Sequence, residues 1–154
     1  MSDGKLRRYQ RIRSQLAGEL TKTDDPIARM ATIVALLHHK QPRFFWTGFY
    51  RLAENGDLVV GPYQGTLACQ VLPAGQGVCG ASVARSETLV VPDVHAFPGH
   101  IACDGRSNSE IVVPVPDVEG TIVGVLDVDS TDLDHFDAVD AEQLEAIVAE
   151  VYGG

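Results

Sequence analysis

Three cysteines set among acids and histidines carry the chemistry open to this chain. Cys103 stands in Gly99-His100-Ile101-Ala102-Cys103-Asp104, a glycine-rich and polar stretch followed by Ser107-Asn108-Ser109-Glu110, with Cys69 and Cys79 upstream. Loops hold reactive groups on a rigid scaffold, so a thiol placed this way is a candidate nucleophile. Cys69 and Cys79 are then candidates to resolve whatever species Cys103 forms. An odd count of three cannot make a complete disulfide framework. The bland alternative is three buried, inert thiols, and it stays open for Cys79 in particular. Nine residues separate Cys69 from Cys79 and twenty-three separate Cys79 from Cys103, a spacing that fits no zinc finger or ribbon. His95, His100 and Cys103 lie near one another in sequence but lack the paired C-x-x-C knuckle, so no metal site is assigned.

Carboxylates stand where strands should be apolar. Asp127 and Asp129 lie in Gly124-Val125-Leu126-Asp127-Val128-Asp129-Ser130, and residues two apart on a strand share a face. Glu110 opens the adjoining apolar run. A solvated sheet face would explain such alternation, but three acids converging on one loop thiol would instead line a pocket suited to a cation.

The elements that position these groups follow from periodicity. A basic first helix is expected over about 5–17 and a second over 26–40, where Asp24 or Asp25 caps ahead of Pro26 and Ile27, Met30, Val34 and Leu37 recur at helical spacing. A last helix is expected over about 137–152, with Leu144, Ile147, Val148 and Val151 as its apolar stripe and acids in its first turn. Strands are expected over 44–52 and 58–60, joined across Glu54-Asn55-Gly56-Asp57, then over 67–72, 88–91, 110–115 and 121–129. The last two are joined by Pro116-Asp117-Val118-Glu119-Gly120, too short for a helical crossover. A short helix is expected from Gly77 through Ala84. Gly75-Gln76-Gly77-Val78-Cys79-Gly80 matches G-x-G-x-x-G, but the hairpins that follow are not the βαβ units of a dinucleotide fold. Its glycines better serve a tight strand-to-helix turn whose amides could bind an anion.

A chain of 154 residues, 45% hydrophobic, fits one domain, expected as an amino-terminal helix over 1–20 and a core over 26–152. The fold class read from this order is α+β, an antiparallel sheet with helices on one face and an active-site loop region on the other. A net charge of −9 argues against nucleic acid as partner. The basic residues Lys5, Arg7, Arg8, Arg11 and Arg13 crowd the first segment, whereas the chain after Arg106 holds twelve acids and no Lys or Arg; most of these charges are expected on solvated faces. With no apolar run near the roughly 18 residues of a span and no apolar leader, a cytoplasmic protein off the membrane is expected.

The ordered motifs Trp46-Thr47-Gly48-Phe49-Tyr50, Gly61-Pro62-Tyr63-Gln64-Gly65, Ala68-Cys69, Gly77-Val78-Cys79-Gly80, Asp93-Val94-His95, the Cys103 loop, Ser107-Asn108-Ser109-Glu110-Ile111 and Gly124 through Ser130 resemble those of the free methionine-(R)-sulfoxide reductases, single GAF domains that act on the free amino acid. The resemblance spans about 46–152. It implies that Cys103 attacks the sulfoxide sulfur and becomes a sulfenic acid, that Cys69 condenses with it to a disulfide, and that thioredoxin reduces the disulfide. Cys79 matches a third family cysteine without a fixed role. Glu110, Asp127 and Asp129 match the acids that bind and polarise substrate, and Trp46 and Tyr50 the aromatic contacts. Sulfoxide oxygen leaves only if protonated, and clustered carboxylates raise one another's pKa enough to supply the proton. Asp129 is assigned that role and Glu110 with Asp127 the substrate ammonium, though the three can be permuted. No cofactor is implied, and a homodimer is compatible with the sequence without being read from it. The alternative is a non-enzymatic GAF domain sensing a small ligand or redox state.

Overall fold

The computed structural model describes residues 2–153. Its elements run α1 (Ser2–Leu20), α2 (Pro26–Lys40), β1 (Trp46–Leu52), β2 (Leu58–Gln64), β3 (Val71–Leu72), α3 (Gly77–Arg85), β4 (Leu89–Val91), β5 (Ser109–Pro116), β6 (Ile122–Ser130) and α4 (Ala138–Val148). The strands form a single sheet in the order β3-β2-β1-β6-β5-β4, every neighbouring pair antiparallel. The α+β class and the two-faced arrangement expected from the sequence are what the chain adopts.

Period-two alternation divides the sheet between two cores. Phe49, Ile111, Val113, Val115, Leu126 and Val128 face α1, α2 and α4, whose stripes supply Tyr9, Ile12, Leu16, Met30, Ile33, Val34, Leu37, Leu144, Ile147 and Val148. Trp46, Tyr50, Val112 and Val125 face the other way, toward α3 and the loops, with Leu72, Val78, Cys79, Val91 and Val94. Burial of this kind contributes roughly 25 cal/mol per Å² of apolar surface.

Helix boundaries follow local chemistry. The Asp25 side chain accepts from the Ile27 and Ala28 amides with Pro26 in the first turn, so α2 has the bounds its sequence predicts. Ile27 departs from expectation: it is 57% exposed, and the buried stripe is Met30, Ile33, Val34 and Leu37. Asp137 caps α4 in a capping box with Asp140, and the helix stops at Val148, short of the predicted end. β2 runs on to Gln64 because an extra residue in β2, opposite the Gly48–Tyr50 step of β1, absorbs Gly61-Pro62, where proline has no amide to give the ladder. The strand expected over 67–72 shrinks to Val71–Leu72. Leu67 is 86% exposed; the Cys69 carbonyl accepts from the Tyr50 hydroxyl, and the Gln70 carbonyl takes the Val60 amide of β2 at 3.0 Å.

The basic first helix is more than a solvated surface. Asp140, 1% exposed, accepts from the Tyr9 hydroxyl at 2.5 Å and the Lys5 ammonium at 2.6 Å, and its Oδ2 also takes the Asp137 amide at 2.9 Å. Burial and the adjacent Asp140 push the Tyr9 phenol well up, so it stays a donor. This network locks α1 onto α4.

Removing one member of a buried ionic network strands the others without their partner. Asp140→Ala is therefore expected to lower the unfolding free energy in urea by about 3–5 kcal/mol, whereas Glu142→Ala on the exposed side of the same helix should stay within about 0.5 kcal/mol.

Candidate active site

The register of β1, β6 and β5 builds the floor of a cleft. Trp46 pairs with Asp129 and Asp129 with Glu110, so a ring and two carboxyls stand in one row across three strands. In the next row Gly48 pairs with Asp127 and Asp127 with Val112. Residues opposite one another in an antiparallel sheet project to the same face, which brings all three acids together as the alternation in β6 predicts. The glycine is a steric requirement. A Cβ on residue 48 would sit 2.5 Å from both Trp46 Cη2 and Tyr63 Cβ, and its absence lets the indole lie across the strand, stacked on Tyr63 and Tyr50 at centroid distances of 5.4 and 5.8 Å.

Two loops close over this floor, and the Cys69–Cys103 disulfide joins them with Cα atoms 5.5 Å apart. Further bonds hold the same loops. Thr66 Oγ1 donates to Asp104 Oδ2 at 3.0 Å, Trp46 Nε1 donates to the Thr66 carbonyl at 3.0 Å, and the Tyr50 hydroxyl donates to the Cys69 carbonyl at 2.9 Å. The Arg106 fork grips Asp104 through Nε and Nη2 at 3.0 and 2.8 Å, and this guanidinium holds the carboxyl far below its ordinary value. Arg106 itself lies 5.0 Å over the Phe45 ring.

The cleft is lined by Trp46, Tyr50, Cys79, Cys103, Glu110, Asp127 and Asp129 among others, so every site residue expected from the sequence except Cys69 lies on its wall, with Cys69 bonded to one that does. The start of α3 also fronts it, through Gln76, Gly77 and Val78. His95 is elsewhere, exposed and bonded to Asp93 at 2.8 Å, and does not line the cleft.

Burial dominates the electrostatics. It pushes Glu110 well up, with Asp127 and Asp129 adding to the shift; it raises Asp127; and together with the Asp127 charge it pushes Asp129 well up. Glu110 Oε1 and Asp127 Oδ1 are buried with no hydrogen-bond partner among the described residues. His100 Nε2 lies 3.6 Å from Glu110 Oε1, but burial lowers the imidazole pKa, so at neutral pH this is a neutral histidine beside a proton-prone acid.

The sequence places the acids against Cys103. In the structure the thiol whose sulfur lies within 4.8 Å of Glu110 and Asp127 oxygens is Cys79, while Cys103 sits in the roof. Cys79 is buried and unpaired, and its thiol is pushed well up by burial and then by Asp127 and Glu110. Thr66, Asp104 and His100 were not foreseen as a supporting set; the Asp104-x-Arg106 spacing was visible but its partner 38 residues away was not.

Residues 11–152 match the GAF domain family. The chain is 47% identical over 125 residues to the free methionine-R-sulfoxide reductase of Escherichia coli, covering 81% of this chain and 74% of that protein. It superposes with a TM-score of 0.91 and 40% identity on free methionine-R-sulfoxide reductase from Neisseria meningitidis in complex with its substrate, over 96% of this chain and 88% of that one. A Staphylococcus aureus relative, also a complex with substrate, gives a TM-score of 0.86 and 44% identity over 94% and 93% of the two chains.

A carboxyl whose pKa rises on folding binds more protons in the native state, so its stabilising contribution is full below the unfolded pKa and is lost as pH climbs toward the folded value. Glu110→Gln removes that loss. Its Tm is expected to exceed the parent's at pH 7–8, and the advantage should disappear on acidification below the ordinary glutamate pKa near 4.3, as read by melting both proteins across the pH range.

Proposed function

This chain belongs to the GAF domain family and, within it, to the free methionine-R-sulfoxide reductases, and from that membership we propose that it reduces free L-methionine (R)-sulfoxide to methionine and is recycled through its Cys69–Cys103 disulfide by thioredoxin. The observation that carries the reading is the bond between the two loop cysteines at the rim of a cleft whose floor holds three carboxyls that burial makes easier to protonate.

The chemistry balances on these groups. The Cys103 thiolate attacks the sulfoxide sulfur while an acid protonates the departing oxygen; the S–O bond passes to Cys103, giving a sulfenic acid and methionine. Cys69 displaces water from the sulfenic acid and forms the disulfide, and a thioredoxin dithiol reduces it. We assign the proton to Asp129, in the row with Trp46, and the substrate ammonium to Glu110 and Asp127, whose unpartnered oxygens are acceptors awaiting a donor. Trp46 offers its ring to the methyl group, since its Nε1 is already bonded to Thr66. Tyr50 acts through its hydroxyl on the Cys69 carbonyl, positioning the resolving loop.

The deciding experiment follows NADPH consumption with thioredoxin, thioredoxin reductase and each epimer of free methionine sulfoxide. Only the R epimer is expected to react. Cys103→Ser should release no methionine even in a single turnover, whereas Cys69→Ser should give one turnover and fail to recycle. A Cys69→Ser protein that cycles normally would move the resolving role to Cys79, and binding without turnover would favour a sensor.

A second expectation concerns the ammonium. N-acetylation removes the charge that Glu110 and Asp127 face, and losing a buried charge-assisted contact costs about 2–5 kcal/mol. N-acetylmethionine sulfoxide should therefore show kcat/KM lower by about thirtyfold or more; equal rates on both substrates would overturn the assignment of these acids.

A further inference from the structure

The mechanism leaves Cys79 unused, yet this buried thiol sits on the floor of the cleft. Its Sγ and one oxygen each of Glu110 and Asp127 lie within 4.8 Å of one another, all three residues buried. Glu110 Oε1 and Asp127 Oδ1 have no partner among the described residues, and orphaned acceptors at this depth point to a missing donor or cation. A substrate ammonium would satisfy the oxygens but has no use for the sulfur.

We infer that this floor is also a binding site for Zn²⁺, held by Cys79 Sγ, Glu110 and Asp127, and that the ion and the substrate ammonium exclude one another. The donor set selects the ion. Calcium and magnesium take oxygen ligands, whereas a thiolate with carboxylates suits borderline-soft zinc. Zinc bonds of about 2.0–2.3 Å in a tetrahedron set ligand atoms about 3.3–3.8 Å apart. Cys79 Sγ and the two carboxylate oxygens, all within 4.8 Å of one another, need to close by at most about 1.5 Å. Thiols and carboxyls ligate zinc in their deprotonated forms, so zinc affinity rises with pH. The redox pair is untouched, which makes the inhibition reversible by a chelator. The exclusion of ammonium rests on the reading of this cleft as the amino-acid site; the metal site does not.

The test uses oxidised protein, in which the closed Cys69–Cys103 bond leaves Cys79 as the one thiol able to ligate. Zn²⁺ is titrated against a chromophoric chelator, and Co²⁺ is added separately to read thiolate-to-cobalt charge-transfer absorption. One ion per chain with that absorption is expected. Cys79→Ala should abolish the absorption, and both it and Glu110→Gln should weaken zinc by about tenfold or more. Zinc affinity unchanged in Cys79→Ala, or cobalt bound without the thiolate signal, would overturn the site. Free methionine should raise the apparent zinc Kd. Should it leave a Cys79-dependent zinc affinity unchanged, the mutual exclusion fails, and with it the placement of the amino acid on this floor, while the metal site stands.

Discussion

Strand β6 is hydrogen-bonded along both edges, and that double pairing fixes what each of its side chains can do. Between β1 and β5 its register cannot slip by one residue without turning Asp127 and Asp129 into the helical core and Leu126 and Val128 into the cleft. The apolar contacts that α1, α2 and α4 make with one face therefore hold the acids on the other. Stability and chemistry share a strand but use opposite faces of it. The cost falls on the cleft side, where carboxyls are kept from water and two oxygens have no partner among the described residues.

Above that floor, the disulfide works within a scaffold of polar contacts that does not depend on it. Tyr50 and Trp46 reach up from β1 to grip carbonyls of the Cys69 loop, while Asp104, clamped by Arg106, ties the Cys103 loop to Thr66. None of these bonds involves either sulfur, so each can hold its loop near the other with the disulfide open or closed. Such preorganisation turns resolution of the sulfenic acid into an intramolecular encounter at close range.

Much of this was legible in the chain. The alternation in Gly124 through Ser130 gave the shared face of the acids, Pro26 and Asp25 gave the start of α2, and the five residues after Val115 excluded a crossover. What stayed hidden depends on distant partners. Asp140 reads as one more surface acid on α4 until Tyr9 and Lys5, more than 130 positions away, fold against it. The stretch from Leu67 has strand-like composition, but the Tyr50 hydroxyl takes its Cys69 carbonyl and Leu67 stands in solvent. Cys79 reads equally as a resolving thiol or an inert core one, and only the seating of α3 over the sheet sets its sulfur beside Glu110 and Asp127.

The ends of the sheet have a consequence for the fate of the chain when concentrated or partly unfolded. Its valine- and isoleucine-rich segments, Ile111–Val113 and Val125–Val128, are the ones best suited to stack between molecules, and both lie in interior strands. β3 and β4, two and three residues long, border the sheet along Leu58–Val59 and Glu110–Val112. Strands so short offer a neighbouring chain little backbone to pair with, and the lengths of β2 and β5 beyond them carry Pro62, Pro114 and Pro116, which have no amide to give, so the native fold resists growth into fibrils. Intermolecular cross-β assembly would first require peeling back a border strand.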